Sequence, residues 1–255
     1  DPWFAGWCGV MVNLSDIAAM GGRPLAVVDA VWAKGEDGAA PVLEGLRAAS
    51  ARFGVPIVGG HTNLASDRGQ LSVAVLGRAN KLLTSFDARP GEVLVAAIDL
   101  RGRYREPFAN WDAATDAPAE RLRGDLDLLP RLAEAGLARA AKDISQGGLV
   151  GTAAMLAEGS GVGIEIDLDA VPAPEGVDPV RWLMTFPSFG YLVPTALTVH
   201  PTVLTTLRER GIAAAVIGTV TAERKVTVKQ GLSRETIWDF SRAPLIGCGP
   251  AEDAA

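Results

Sequence analysis

Three short polar clusters interrupt an otherwise apolar sequence, and their residue types suit the binding of charged ligands. They are Asn13, Ser15 and Asp16 in "VNLSDIAAMGGRP", the segment "GGHTN" at 59–63, and the segment "DISQGG" at 143–148. In the second and third clusters, a predicted strand ends in small residues that expose backbone N–H groups beside acceptor or carboxylate side chains. Turns of this kind bind anions, and they do so more strongly where a helix N-terminus follows. The clusters therefore indicate a site for a phosphate-bearing ligand.

Two carboxylates, Asp16 and Asp143, are the candidate metal ligands. Magnesium in phosphoryl-transfer sites is held by one or two carboxylates together with phosphate oxygens. The sequence predicts that Gly147–Gly148 opens a helix, which would point backbone N–H groups at whatever Asp143 faces. The same residues could instead have purely structural roles. Asp16 could accept hydrogen bonds from a neighbouring loop, and Asp143 with Ser145 could cap the N-terminus of a helix. His61 could be a hydrogen-bonding residue of a turn.

Composition and charge exclude several classes of protein. The 255 residues are 48% hydrophobic and 21% charged, enough for one large core or two modest ones. The net charge of −6 and the absence of a Lys/Arg run argue against a nucleic-acid partner. The widely separated Cys8 and Cys248 indicate neither a disulfide framework nor a zinc site and favour the cytoplasm. No apolar run approaches the roughly 20 residues that a spanning helix needs.

Familiar catalytic signatures are missing from the sequence. It contains no GxxxxGK[ST] loop and no GxGxxG after a predicted strand, so neither a P-loop enzyme nor a dinucleotide-binding Rossmann unit is indicated. The chain starts abruptly inside an apolar helix, which suggests that further sequence precedes Asp1.

Apolar spacing and glycine or proline punctuation predict an α/β protein. A helix from Pro2 to Met20 ends at Gly21–Gly22, and the polar segment 101–120 reads as a long loop. A second helix runs from Pro41 to Phe53, and a third covers 120–137 with a break at Pro130. The predicted strands are 25–33, 56–60, 70–79, 89–100, 162–168, 189–195, 213–221 and 225–230. We predict an N-terminal domain at 1–79, a C-terminal domain at 80–245 and a loose tail at 246–255.

In this order and at this spacing, the three clusters resemble the aminoimidazole ribonucleotide (AIR) synthase superfamily. Its members include thiamine-monophosphate kinase, selenophosphate synthetase and the hydrogenase-maturation protein that dehydrates a carbamoyl group. "VNLSDIAAMGGRP" is similar to a segment of the kinase, "IVGGHTN" occupies the place of its Gly-Gly-Asp-Thr turn, and "DISQGG" resembles its Asp-[Ile/Leu]-Ser-Asp-Gly motif. The segment "PSFGYLVPT" is similar to a late strand of the same superfamily, so the resemblance extends from residue 2 to about 245.

The resemblance implies a two-domain PurM-like fold of the α/β (α+β) class, whose N-terminal domain forms a β-barrel with its copy in a homodimer. It also implies ATP and Mg²⁺ as cofactors and phosphoryl transfer to a small-molecule substrate, by phosphorylation or dehydration. The implied Mg·ATP residues are Asn13, Ser15, Asp16, Gly59, Gly60, His61, Thr62 and Asn63. The implied substrate residues are Asp143, Ser145, Gln146, Gly147 and Gly148, with Asp16 and Asp143 as catalytic metal ligands.

Two departures from the kinase pattern keep a second hypothesis open. His61 replaces an acid in the glycine turn, and Gln146 replaces the second acid of the later motif. A neutral imidazole and an amide remove negative charge from a metal site. The alternative is therefore a nucleotide- or metabolite-binding subunit that has lost catalysis, and a third hypothesis gives the N-terminal elements mainly a role in a dimer interface. Neither 101–120 nor 172–188, the expected pocket walls, identifies the substrate.

Overall fold

The computed structural model of this protein describes residues 1–250, which form two compact units with separate hydrophobic cores. Unit 1 comprises residues 1–81 together with 114–130. Unit 2 comprises residues 82–113 and the described residues from 131 onward. No helix within the described residues has both the length and the apolar character needed to cross a membrane.

Unit 1 is a three-stranded sheet with helices packed on one face. Its elements are α1 (Pro2–Ala19), β1 (Arg23–Lys34), α2 (Gly35–Phe53), β2 (Ile57–Asn63), β3 (Ala65–Arg78) and α3 (Ala119–Leu126). The strand order is β2-β1-β3, with β1 parallel to β2 and antiparallel to β3. The turn after α1 is the predicted glycine end, since Gly21 has a φ of 73°.

Alternating burial along the strands of unit 1 separates a covered face from an uncovered one. Val27 and Val31 of β1 are fully buried in the core that α1 and α2 supply. The intervening positions leave large apolar side chains exposed: Val28 is 44% exposed, Val58 63% and Leu76 65%. The sheet is open, and residues 1–250 of the single chain form no closed barrel, so the expected shared barrel is not found here.

Unit 2 is built on a seven-stranded mixed sheet, order β13-β12-β8-β11-β4-β10-β7, beside a three-stranded sheet, order β5-β6-β9. The central strands β4 and β10 are buried along their whole length, which explains their near-continuous apolar sequences. Its strands are β4 (Val93–Ile98), β5 (Arg103–Tyr104), β6 (Asn110–Asp112), β7 (Lys142–Asp143), β8 (Gly163–Asp167), β9 (Phe186–Pro187), β10 (Gly190–Thr195), β11 (Ala213–Thr221), β12 (Lys225–Gln230) and β13 (Ser233–Asp239). The remaining helices are α4 (Leu128–Glu134, across the division), α5 (Gly148–Ser160), a 3-10 turn (Leu168–Ala170), α6 (Pro179–Leu183) and α7 (His200–Arg208).

Several element predictions are wrong in detail. Helix α2 begins at Gly35 instead of Pro41, because the acidic residues after Gly35 suit a helix N-terminus and the helix accommodates Pro41 in its interior. The predicted loop 101–120 contains β5, β6 and the start of α3. The break between α3 and α4 falls at Asp127, whereas Pro130 lies in the first turn of α4, where its missing N–H costs no hydrogen bond.

The described part of the predicted tail 246–255 is anchored to unit 2. The carboxylate of Glu158 accepts backbone N–H groups of Leu245, Ile246 and Gly247 at 2.7 to 3.2 Å. Residues 251–255 of that prediction lie outside the described residues.

Candidate functional site

The first polar cluster lies in the C-terminal half of α1, where two of its side chains bond to the helix itself. Asn13 Nδ2 donates to the carbonyl of Gly9 at 2.7 Å, and Ser15 Oγ donates to the carbonyl of Met11 at 3.1 Å. These bonds satisfy the polar groups locally, one turn back along the helix. The carboxylate of Asp16 is exposed at the surface of the single chain.

The second cluster is extended and not a turn, which corrects the predicted anion-binding loop. Gly59, Gly60, His61, Thr62 and Asn63 form most of β2, in parallel register with Val28–Trp32 of β1. All except Asn63 are exposed, and β2 is an edge strand of the described sheet. The two glycines therefore open the backbone of a strand edge to approach by a ligand.

A carboxylate that sequence reasoning missed, Asp29, lies against the glycine pair. Asp29 is in register with Gly60, and a Cβ atom at residue 60 would lie 2.9 Å from Asp29 Oδ1 and 2.7 Å from its backbone oxygen. Only glycine allows this approach. The half-buried carboxylate forms no hydrogen bond or ion pair with another group of residues 1–250, and burial raises its pKa. Its oxygens suit a hard cation in chemistry.

The register of unit 1 separates Asp16 from the glycine segment. Gly9 of α1 packs over Leu71 of β3, whereas Ile17 packs over Gly77 of β3. Because Gly77 pairs with the first residues of β1, the end of α1 that carries Asp16 is level with the start of that strand. The structure thus places Asp29, further along β1, directly beside Gly60.

The third cluster belongs to unit 2 and forms the passage from β7 into α5. Asp143 is half-buried on β7, in register with Tyr191 of β10. The N-cap of α5 is Gly147, and no side chain caps this helix, so Asp143 and Ser145 do not have the predicted capping role. The exposed Gln146 and Gly147 lead into an N-terminus whose first N–H groups have no side-chain acceptor.

The turn before α5 packs against one of the expected pocket walls. Gly148 has a φ of 63°, and a Cβ atom there would lie 2.2 Å from the carbonyl oxygen of Leu183. The small sheet β5-β6-β9 joins the segment 101–112 to the residues that follow Leu183. Arg181 stacks 3.6 Å above the ring of Tyr104, whose hydroxyl contacts Thr185 Oγ1 at 2.6 Å. Such pairing between distant segments cannot be read from either segment alone.

Carboxylates are dispersed in the described part of the chain. Within residues 1–250, no group of three or more His, Cys, Asp or Glu side chains is arranged to hold a metal ion. Two arrangements bring residues of the clusters close to a carboxylate. In unit 1, Gly60 lies beside Asp29. In unit 2, the N-terminus of α5 follows Asp143.

Two family models match the chain over most of its length. Residues 1–79 match the N-terminal domain of AIR synthase related proteins, and residues 106–231 match the C-terminal domain of the same proteins. The protein therefore belongs to the AIR synthase-related, PurM-like family, as the sequence motifs predicted.

Individual proteins resemble this chain in sequence or in fold. The Synechocystis protein sll0787 is 49% identical over 249 residues, which cover 97% of this chain and 77% of the relative. Thiamine-monophosphate kinase of Pyrococcus horikoshii is 31% identical over 192 residues, covering 71% of this chain and 61% of the kinase. The structure of T. maritima PurL complexed with ATP superposes with a TM-score of 0.77 at 22% identity. That match covers 92% of this chain, which spans 40% of the PurL chain.

Proposed function

We propose that the protein is an ATP- and Mg²⁺-dependent enzyme that phosphorylates or dehydrates a small molecule through phosphoryl transfer. The observation that carries this proposal is the half-buried carboxylate of Asp29, which has no partner among residues 1–250 and lies against Gly60 of the exposed edge strand β2. The family context supports it, because relatives include a kinase and a protein of the same fold that was solved with ATP.

In this proposal, unit 1 binds the nucleotide. Asp29 supplies carboxylate oxygens to Mg²⁺, while Gly59–Asn63 lie along the phosphates. Asp16, level with the start of β1, is a separate candidate metal ligand. The glycine backbone allows phosphate oxygens to approach the N–H groups of β2, and His61 and Asn63 add polar side chains without a negative charge. Asn13 and Ser15 lie near Asp16 on α1, and their side chains are held by bonds to their own helix.

Unit 2 binds the acceptor substrate. The N-terminus of α5, which begins at Gly148 and follows Ser145, Gln146 and Gly147, presents backbone N–H groups to an anionic or polar substrate group. Asp143 anchors that substrate, or a metal ion bound to it, from the neighbouring strand β7.

The chemistry needs little covalent help from the protein. Bound Mg²⁺ would neutralise the negative charge that develops on the phosphoryl oxygens. The residues of each unit hold their bound group in a fixed position and provide fixed N–H dipoles, which lowers the barrier through positioning. The strand β2 and helix α5 are regular elements, so they hold these groups with less freedom than loops would.

Calorimetric titration of the protein with ATP in excess Mg²⁺ tests the nucleotide site. Asp29→Asn keeps the side-chain size and removes the charge, so we expect affinity to fall by about ten-fold or more, equivalent to about 1.4 kcal/mol. Glu44→Gln, which removes a carboxylate from the exposed face of α2, is the matched control and should bind like wild type. Equal affinity for Asp29→Asn and wild type would contradict the proposed site.

An assay for ADP release with a panel of small-molecule acceptors separates the enzyme from the binding-subunit alternative. We expect Asp16→Asn and Asp143→Asn to abolish release while the proteins remain folded by circular dichroism. Tight Mg·ATP binding without ADP release with any acceptor would favour a subunit that has lost catalysis. The replacement of acids by His61 and Gln146 is the reason to consider that alternative. Wild-type turnover in Asp16→Asn would exclude its role as a metal ligand.

A further inference from the structure

A cavity of about 450 Å³ opens in unit 1 at the N-terminal end of β1, remote from Asp29. It lies where α2 ends, where β1 begins and where α3 passes into α4. Its walls combine charged and apolar side chains, chiefly those of Arg23, Phe53, Val55, Arg123, Leu126 and Asp127. Pockets of roughly 300 to 1,000 Å³ with mostly apolar walls and a few polar groups are typical of small-molecule sites.

Two guanidinium groups are held in fixed positions beside this cavity. Arg23 Nε donates to Asp127 Oδ1 at 2.6 Å, and both side chains are about two-fifths exposed. Arg123 Nη2 donates to the carbonyl of Ala51 at 2.9 Å, and its Nε donates to the carbonyl of Arg52. These bonds hold each guanidinium group in a fixed orientation. With two arginines and one aspartate, the walls of the cavity carry a net positive charge.

The approach of Arg123 depends on the glycine that ends α2. Gly54 adopts a φ of 75°, and a Cβ atom there would lie 2.8 Å from Arg123 Nε. The bare backbone of Gly54 thus lets the guanidinium lie flat against the helix end. The apolar side chains of Phe53, Val55 and Leu126 line the space in front of it.

The cavity is separate from the glycine segment of β2. Pro24 lines the cavity, whereas Asp29 faces Gly60, and the two are five residues apart along one extended strand. At about 3.3 Å per residue, that spacing corresponds to about 16 Å. A ligand in the cavity would therefore not occupy the space beside Asp29 and Gly60.

We propose that this cavity is a second ligand site, which takes a small anion carried on a flat apolar ring. A carboxylate or phosphate monoester suits the planar guanidinium of Arg123, because guanidinium groups pair with both in bidentate geometry, and the positive charge of Arg23 attracts the same anion. The ring packs between Phe53 and Leu126, since aromatic and aliphatic surfaces bury flat rings favourably. Asp127 disfavours ligands of higher negative charge by repulsion and holds Arg23 in place.

A nitrogen-proton NMR titration of the whole protein tests this site with 1-naphthoate and 1-naphthyl phosphate, and with neutral 1-naphthamide for comparison. We expect saturable shifts at the backbone of Gly54 and Val55 for one or both anions, and the stronger binder identifies the favoured anionic group. The amide should bind at least about ten-fold more weakly. Binding of neither anion, or equal binding of the amide, would overturn the proposal.

Variants locate the binding within the cavity. Leu126→Trp fills the space without removing a charge and should weaken anion binding by about ten-fold or more. Arg23→Gln removes one partly exposed guanidinium and should weaken anion binding several-fold. It replaces Leu126→Trp as the test if that variant fails to fold. Arg47→Gln removes an arginine that pairs with Glu44 on the surface of α2 and should bind like wild type. Unchanged binding in a folded Leu126→Trp or Arg23→Gln variant would refute the site.

Discussion

One buried carboxylate, that of Glu158, secures the chain segment that follows the last strand of unit 2. Glu158 is 3% exposed, and its two oxygens accept the N–H groups of Leu245, Ile246 and Gly247. Burial raises the pKa of this carboxyl, but the backbone donors outweigh burial and leave the pKa below its ordinary value. The ionised form is therefore the one that stabilises the fold.

We predict that Glu158→Gln lowers the free energy of unfolding by about 2 kcal/mol at pH 7, because hydrogen bonds to a charged acceptor are lost or weakened. The folded-state pKa is lowered, so the stabilising contribution is present above the unfolded-state pKa of about 4.3 and is lost as the pH falls through the folded value. Denaturant unfolding at pH 7 and at about pH 3 measures both effects.

The matched control for this prediction is Glu175→Gln, which removes an exposed carboxylate in the loop before α6. Its stability should follow that of wild type at both values of pH. A Glu158→Gln deficit that stays equally large at low pH would mean that packing, and not the charge, anchors residues 245–247.

Sequence reasoning identified the polar clusters but missed Asp29, a residue of the proposed site. Asn13 and Ser15 stand four residues after Gly9 and Met11, a spacing that allows the helix carbonyls to accept their bonds. The sequence does mark Asp29 as unusual, because it is an acidic residue within the apolar strand "LAVVDAVWA". What the sequence could not supply was its neighbour, because the register that brings Gly60 beside it depends on a bulge in the pairing of β1 with β2.

At the scale of elements, α1 and α2 cross so closely that backbone occupies the space of side chains. A Cβ atom at Gly45 would lie 1.9 Å from the carbonyl oxygen of Trp3, and one at Gly6 would lie 2.1 Å from that of Val42. These two glycines therefore set the separation of the helices that cover the sheet. The relevant cause is packing, because neither residue adopts a positive φ.

We predict that Gly45→Ala destabilises the protein by about 2 to 3 kcal/mol, because the helices must separate or distort. The loss should outweigh the gain of up to about 1 kcal/mol that alanine gives in a helix. Gly38→Ala in the same helix is the control, since its Cβ atom would meet only the Ala33 Cβ at 3.6 Å. Thermal and denaturant unfolding should find Gly38→Ala as stable as wild type or more so; similar losses in both variants would exclude the close crossing as the cause.

The long periodic elements were predictable, and the short or glycine-rich ones were not. Helix α1 and the buried strands β4 and β10 have apolar patterns that local geometry alone explains. The strand β2 was predicted to end in a turn because its glycines indicate flexibility, whereas pairing with β1 extends it to Asn63. The two- and three-residue strands β5, β6 and β9 exist only through contacts between segments distant in sequence.

At the scale of the whole molecule, the uncovered face of the unit 1 sheet poses a solubility problem for a single chain. Val28, Val58 and Leu76 project from it and are 44% to 65% exposed. Burying such side chains contributes about 25 cal/mol for each Å² removed from water. We propose that two copies of the chain cover this face in a homodimer, as the family resemblance implied, and that the open sheets then complete one another.

A charge placed within this interface should weaken the proposed dimer. Leu76→Lys should raise the dimer dissociation constant by about 100-fold or more, because an unpaired ammonium would be buried in an apolar interface. Leu232→Lys makes the same exchange at the fully exposed turn between β12 and β13 in unit 2 and should leave association unchanged. Sedimentation velocity over a concentration series distinguishes them. A wild-type protein that stays monomeric at high micromolar concentration, or equal association of both variants, would mean that the sheet face of unit 1 does not form the interface.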